Sequence, residues 1–315
     1  MGAMAPLSIV VMGTGGVGGY FGARLCQSGA RVTFVARGPH LDALRARGLT
    51  VHSVLHGRIT VPVEAVETLA GRPPADAVLF AVKSFDTEAA AEALRPVLAP
   101  HTAVLSLQNG VDNVEKIDAV LGPGHALGGA AYVFAVREGP GVIAHRAGGR
   151  IVFGELDGRL TPRAERLREA FDRAGVPVEL SRDIRRALWE KYLFIGAHAG
   201  LTALTRCPIG VIRAVPETWR LYRLVLEELA AVARAAGITL AGDVVEAIVK
   251  QAGALDPGAR SSLADDLVHG RRLELEALHG HAARLGRRLG VPTPAVDVIY
   301  AALKPFVDGP PESAR

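Results

Sequence analysis

An ammonium held beside a carbonyl can polarise the oxygen and hand it a proton. Lysine is scarce in this chain: only five of the 36 basic residues are lysines, namely Lys83, Lys116, Lys191, Lys250 and Lys304. Lys191 follows Trp189-Glu190 at the head of YLFIGAHAGLTAL, an almost wholly apolar helical run. Partial desolvation there lowers its pKa and suits it to donate a proton, although the position also fits a lysine snorkelling to the surface. Lys83 closes the apolar run DAVLFAV, and TAVLSL ends in Gln108-Asn109-Gly110, which holds one of the chain's two asparagines. Polar groups at the carboxyl ends of parallel strands line a ligand crevice, while a loop lysine and an Asn-Gly turn are the plainer readings.

Gly13-Thr14-Gly15-Gly16-Val17-Gly18 ends the first apolar run and opens a helical segment. In this pattern the first glycine permits a tight turn and the second lets backbone N–H groups approach a pyrophosphate at the helix N-terminus. The third allows close helix–strand packing. The strand–loop–helix–strand setting at the start of the chain supports a dinucleotide site at Gly13, Gly15, Gly16, Val17 and Gly18. The second strand ends in Val35-Ala36-Arg37-Gly38 with no acid to bind a ribose 2′-hydroxyl. Arg37 suits a 2′-phosphate through its fork of donors, so the expected cofactor is NADP(H).

Farther along, His198 lies seven residues beyond Lys191 and shares its helical face, where it reads either as a substrate contact or as a satisfied core histidine. Ser262 with Asp265 spells a capping box ahead of HGRRLELEAL, and Glu274 and Glu276 open a long helix. Cys207 before Pro208 reads as a small buried residue.

These residues need a scaffold, and the pattern supplies one. Segments 7–13, 31–36, 76–82 and 102–107 are continuous apolar runs, as in strands buried on both faces of a parallel sheet. Helical segments 20–28, 40–47 and 87–98 lie between them, which predicts a doubly wound α/β domain. After residue 126 the pattern shifts: GVIAHRAGG-RIVFGEL reads as a hairpin, 161–174 as a helix and VPVEL as a closing strand. From there on, helices are expected over roughly 183–205, 216–236, 241–253, 259–268, 271–289 and 293–307. The predicted domains are 1–182 and an all-helical 183–315, the length of 315 residues suiting two domains.

The bulk composition narrows the function. With 49% hydrophobic and 22% charged residues the chain is an ordinary globular one, and a net charge of +4 comes from arginines interleaved with acids. No basic block with interleaved aromatics points to nucleic acid. The uncharged stretch 119–136 is broken by Gly and Pro, so no membrane span is expected, and the amino terminus lacks the layout of a signal peptide. Two cysteines with neither metal nor redox spacing fit a reducing cytoplasm, and no metal site is expected.

Together the residues resemble the ketopantoate reductase (2-dehydropantoate 2-reductase) family. The shared features are G13-x-G-x-x-G18, Arg37, the V-K83 strand end, Q-N109-G, H145 with GE155, W189-E-K191, L-T-A-L followed by C-P-x-G, and S262-x-x-x-D266-x7-E274. The resemblance spans nearly the whole chain. It implies an N-terminal Rossmann-type domain and a helical C-terminal domain with NADPH in the cleft between them, reducing a 2-keto acid to a 2-hydroxy acid in pantothenate biosynthesis. It also implies that Lys191 is the catalytic lysine, that Glu274 binds substrate and helps orient that lysine, and that Asn109 contacts cofactor and substrate. Lys83 becomes a cofactor-side lysine, Ser262 a substrate carboxylate ligand and Asp266 a supporting acid. A homodimer is plausible by the same analogy.

The chain departs from that family at Ile195, Ala199 and Ile209, where pantoate-forming members usually carry asparagines. The catalytic skeleton is kept while the recognition shell turns apolar, so the substrate is either ketopantoate or a more apolar ketone, with His198 a candidate compensating contact. A β-hydroxyacid or imine reductase of the 6-phosphogluconate-dehydrogenase-like group and a non-catalytic NADP-binding sensor are the alternatives.

Overall fold

The structure is a computed structural model that describes residues 6–311. The chain divides into two compact units, one running to Gln108 and resuming over Asp112–Ile184, the other comprising Asn109–Val111 and the residues from Arg185 onward.

The first unit is built on ten strands: β1 (Ser8–Met12), β2 (Arg31–Val35), β3 (Leu49–Ser53), β4 (Gly57–Val61), β5 (Glu64–Val66), β6 (Ala77–Phe80), β7 (Ala103–Ser106), β8 (Ala126–Gly139), β9 (Val142–Gly154) and β10 (Val178–Leu180). Their order is β4-β3-β9-β8-β7-β6-β1-β2-β5, with β10 added beside β9. The pairs β7–β6, β6–β1 and β1–β2 are parallel, as the apolar runs predict, and β2 also pairs in parallel with β5. Alternate residues explain why those runs are continuous. Ile9, Val11, Leu79 and Leu105 enter one apolar cluster, while Val10, Met12, Val78, Phe80 and Val104 enter another. Both faces of the strands are therefore buried. The connecting helices are α1 (Gly16–Gln27), α2 (Gly38–Arg47), α3 (Thr87–Glu92), α4 (Asn113–Leu121) and α5 (Pro162–Arg173).

Three expectations for this unit need correction. GVIAHRAGG-RIVFGEL is not a hairpin: it forms the single strand β9, whose antiparallel partner is β8. Gly148 (φ +75°) and Gly149 (φ +123°) lie at the register shift opposite Tyr132 and Val133. A glycine pair that looks like a turn in sequence thus forms a bulge, because positive φ kinks a strand without ending it. The expected helix over 87–98 ends at Glu92 and is followed by a short 3₁₀ turn at Arg95–Val97, where Pro96 cannot donate to a helical ladder. Strands β3, β4 and β5 escape notice because they are short and their faces alternate or lie open.

The second unit consists of α6 (Ile184–Thr205), α7 (Ile209–Ala214), α8 (Pro216–Ala235), α9 (Val244–Gly253), α10 (Ser262–Val268), α11 (His281–Leu289) and α12 (Pro294–Leu303) around one apolar cluster. The helix expected over 271–289 is interrupted: Arg271–Glu274 is irregular, Glu276–Gly280 is a π turn, and regular helix resumes only at His281. No helix among the described residues is long and apolar enough to cross a membrane.

One buried acid shows how tertiary structure finishes an element. Thr293 stands at the N-cap of α12, yet its side chain caps nothing. The Glu228 carboxylate on α8 takes the role instead, accepting from the Ala295 and Val296 N–H groups at 2.9 Å each while it is only 6% exposed. Glu228→Ala leaves two buried helix-terminal donors unpaired and is expected to destabilise the protein by about 3 kcal/mol, read as a lower urea midpoint. A change within about 0.5 kcal/mol would show that the cap is dispensable.

Candidate active site

In the first unit the glycine loop connects β1 to α1, and its glycines are there for two different reasons. Gly13 has φ +99°, and a Cβ on it would lie 2.6 Å from the Val82 nitrogen. A Cβ on Gly16 would lie 1.9 Å from the Ala135 carbonyl oxygen of β8, and one on Gly18 would lie 2.3 Å from the Gly13 oxygen. Packing alone therefore demands those three. Gly15 differs: it sits at the N-cap of α1 with φ −88°, and nothing lies within 4 Å of where its Cβ would be. The fold does not need a glycine there, and the absence of a side chain leaves room for a phosphate to approach the backbone. The first turn of α1 carries no acid and no side-chain cap, so its N–H groups remain open to an anion. Val17 is partly buried against the sheet cluster.

The loop is tied to the end of β2. Thr14 Oγ1 donates to the Val35 carbonyl at 2.9 Å, and His40 Nε2 donates to the Thr14 carbonyl at 2.8 Å. His40 Nδ1 accepts from the Gly141 N–H at 2.9 Å, which fixes the tautomer. Burial, reinforced by Arg137, holds the pKa of this ring below its usual value. Arg37 stands beside this tie, exposed, with no carboxylate partner among the described residues. The donor set thus fits a dinucleotide phosphate and a 2′-phosphate. Lys83 is half-buried and starts a 3₁₀ turn at Ser84–Asp86. Gln108 is spent structurally, donating to the Val82 carbonyl at 3.1 Å and to Thr87 Oγ1 at 2.8 Å.

The second unit gathers the candidate acid–base groups. Lys191 is buried on α6, and its Nζ donates to Asn109 Oδ1 at 3.0 Å. Burial pushes its pKa down from 10.5 to about 8, while the charge of Glu274 opposes that fall. Glu274 is itself buried in the irregular stretch before the π turn. Asp266, also buried, pairs with Arg271 Nη1 at 3.1 Å, and the Arg271 N–H donates to the Asp266 carbonyl at 2.8 Å. It therefore anchors the segment that carries Glu274. These contacts bring Lys191, Asn109 and Glu274 together.

Other residues take on roles that differ from those their sequence suggests. The cap of α10 is Ser261, not Ser262: Ser261 Oγ accepts from the Ala264 N–H at 3.0 Å, which corrects the expected Ser262–Asp265 capping box by one position. Ser262 becomes the first helical residue, half-buried, with no hydrogen bond from its hydroxyl among the described residues. The hydroxyl is thereby left available to a ligand. His198 is buried and stacked on Phe194 at 5.5 Å, and its bond to the Arg260 backbone only partly offsets the burial that holds its pKa at about 4. Its Nδ1 has no partner among the described residues, so it is a core histidine only half satisfied. Ala199 and Ile209 are buried and Ile195 is half-buried, so no polar group replaces the asparagines at those positions.

Two further polar residues stand beside Lys191 and Glu274, and the sequence reading misses both. Tyr192 donates its hydroxyl to the Leu278 carbonyl, and His279 bonds the Gly196 carbonyl at 2.9 Å. Their only sequence signal is adjacency to Lys191 and placement five residues after Glu274.

An α/β unit with a glycine-loop dinucleotide cradle, followed by a helical unit with a desolvated lysine and an acid, defines a two-part nicotinamide-type oxidoreductase scaffold. The chain belongs to the ketopantoate reductase PanE/ApbA family of oxidoreductases, whose profile matches residues 9–158 and whose C-terminal profile matches residues 183–307. Its structure is similar to the crystal structure of a PanE/ApbA family ketopantoate reductase from Ralstonia eutropha JMP134, with 37% identity, TM-score 0.87, and 95% and 97% of the two chains covered. In sequence it is 30% identical to the 2-dehydropantoate 2-reductase of Mesorhizobium japonicum over 95% of this chain and 97% of that one. D-mandelate dehydrogenase, solved with NADH and anilino(oxo)acetate, shares the fold at 22% identity and TM-score 0.87, with 95% and 97% covered.

Proposed function

We propose that the protein reduces a 2-keto acid to a 2-hydroxy acid with NADPH, the first unit holding the dinucleotide and the second the substrate. The observation that carries this reading is the buried Lys191 ammonium, aligned by Asn109 and charge-supported by Glu274, with a pKa of about 8. NADPH, when bound, supplies a hydride to the carbonyl carbon. Lys191 donates a hydrogen bond to the carbonyl oxygen and then its proton, so that C=O becomes CH–OH. Glu274 keeps that ammonium charged in a site that burial would otherwise neutralise. Ser262, with an uncommitted hydroxyl, is a ligand for the substrate carboxylate, and Asp266 acts through the segment it anchors. Lys83 and Arg37 serve the cofactor, Arg37 by pairing with the 2′-phosphate.

The apolar side chains at 195, 199 and 209 favour a 2-keto acid whose side chain is less polar than that of ketopantoate. A panel running from ketopantoate to branched and aromatic 2-keto acids, followed by NADPH oxidation, tests this. Turnover is expected with keto acids, highest on the apolar ones, and with NADPH over NADH by about tenfold or more. Best turnover on ketopantoate would reverse the substrate preference. A preference for NADH would remove the assignment of Arg37, and no turnover on any keto acid would leave a dinucleotide-binding protein without this reaction.

A further inference from the structure

We propose that His279 is a positioning residue that holds Glu274 in register with Lys191 by clamping a π turn onto α6. The proposal rests on the reading of Lys191 as proton donor. Glu274 is buried on irregular chain, so the backbone that carries it takes its place from the segment that follows. That segment winds as a π turn: the Gly280 N–H donates to the Leu275 carbonyl, five residues back, at 2.9 Å. Such turns are rare and recur at functional sites.

Two bonds pin the turn to α6. Tyr192, next to Lys191, donates its hydroxyl to the Leu278 carbonyl, and His279 Nε2 donates to the Gly196 carbonyl at 2.9 Å. The partners on α6 lie one helical turn apart, and those on the π turn are adjacent, so the clamp resists both sliding and rotation. Leu278 also reaches back, its N–H donating to the Glu274 carbonyl at 3.2 Å. Tyr192, Leu278 and Glu274 thus connect the backbone at Lys191 to the backbone at Glu274, and His279 closes the other side.

The fold makes room for this histidine. A Cβ on Gly200 would lie 2.6 Å from His279 Nε2, so the ring needs glycine on the facing turn of α6. The ring is 1% exposed, and burial, partly offset by its bond to Gly196, holds its pKa at about 4. It is therefore neutral, and because the Gly196 carbonyl can only accept, the proton lies on Nε2. Its Nδ1 has no partner among the described residues. An apolar residue would fill the space without leaving a buried acceptor unpaired, so the Nε2–H bond is the chemical gain from histidine here.

His279→Leu removes the Gly196 half of the clamp, leaving only the Tyr192 bond, and fills most of the space. Glu274 then supports the Lys191 charge less well. Glu274 is the charged group that raises the Lys191 pKa, so kcat/KM for the keto acid is expected to fall about tenfold. The high-pH limb of its profile should move down by about half a unit, with NADPH affinity within about twofold. His279→Gln, whose amide can still donate to Gly196, should restore both. A Leu variant with an unmoved limb overturns the proposal, as does one that glutamine fails to rescue, whatever happens to its stability. Should the Leu variant not fold, Gly200→Ala displaces the ring tip and is read by the same limb: a downward shift supports the clamp, and an unmoved limb overturns it. Loss of the underlying reading is distinguishable: Lys191→Ala would then retain turnover, irrespective of His279.

Discussion

Lys191→Ala is expected to cut kcat/KM for the keto acid by about 10²–10⁴-fold while leaving NADPH affinity nearly unchanged. The size follows from what is lost: the group that polarises the carbonyl and the proton that completes the alcohol. The affinity is spared because the glycine loop and Arg37 belong to the other unit. The pH dependence has a definite sign. Lys191 donates only when protonated, and burial has brought its pKa from 10.5 down to about 8. Activity is therefore expected below about pH 8 and should fall about tenfold per unit as pH rises above it. A wild-type limb near pH 10 would mean that the lysine is solvated and not the donor, and near-normal turnover in the alanine variant would remove its role altogether.

Gly15→Ala and Gly16→Ala are expected to fail in opposite ways, although they are neighbours in one loop. At Gly15 the backbone is extended and the Cβ meets empty space, so alanine should leave the thermal midpoint unchanged or slightly raised. The methyl group occupies the approach a pyrophosphate needs, and NADPH binding should weaken by about tenfold or more, close to 1.4 kcal/mol. At Gly16 the Cβ would collide with the Ala135 carbonyl at 1.9 Å, a backbone atom held in β8. That substitution should cost about 3 kcal/mol or more of stability, whether or not cofactor is present. Calorimetry of NADPH binding together with thermal unfolding separates the two. Equal loss of stability in both variants would show that Gly15 serves the fold and not a ligand.

Which parts of the molecule can be read from the sequence follows from how far each signal reaches. Strands β1, β6 and β7 are legible because burial on both faces leaves no polar alternation. The glycine loop is legible because its spacing lies within six consecutive residues, although the backbone that demands Gly13 and Gly16 comes from Val82 and Ala135. The sequence puts Glu274 at the start of a long regular helix, but the chain is irregular there and then makes a π turn. Local propensity cannot register bonds to Gly196 and from Tyr192 on another helix. The sequence favours Ser262 as the cap because Asp265 stands three residues on, whereas in the fold Ser261 Oγ takes the Ala264 N–H and also meets Thr202 Oγ1 of α6 at 2.7 Å. The glycine pair at 148–149 looks like a turn because its bulge depends on the register against β8.

By itself the sequence determined the alternation of strands and helices, the glycine loop at the end of the first strand and which residues are candidates for acid–base chemistry, because these depend on residue type and short spacing. Only the tertiary structure decided which groups act together. Lys191 and Asn109 are 82 residues apart and meet at 3.0 Å. Glu228 caps a helix 67 residues away, and His279 reaches across to α6. The lowered pKa of Lys191 belongs to this second kind as well. Burial sets it, and burial is a property of the packed helices, not of any one of them.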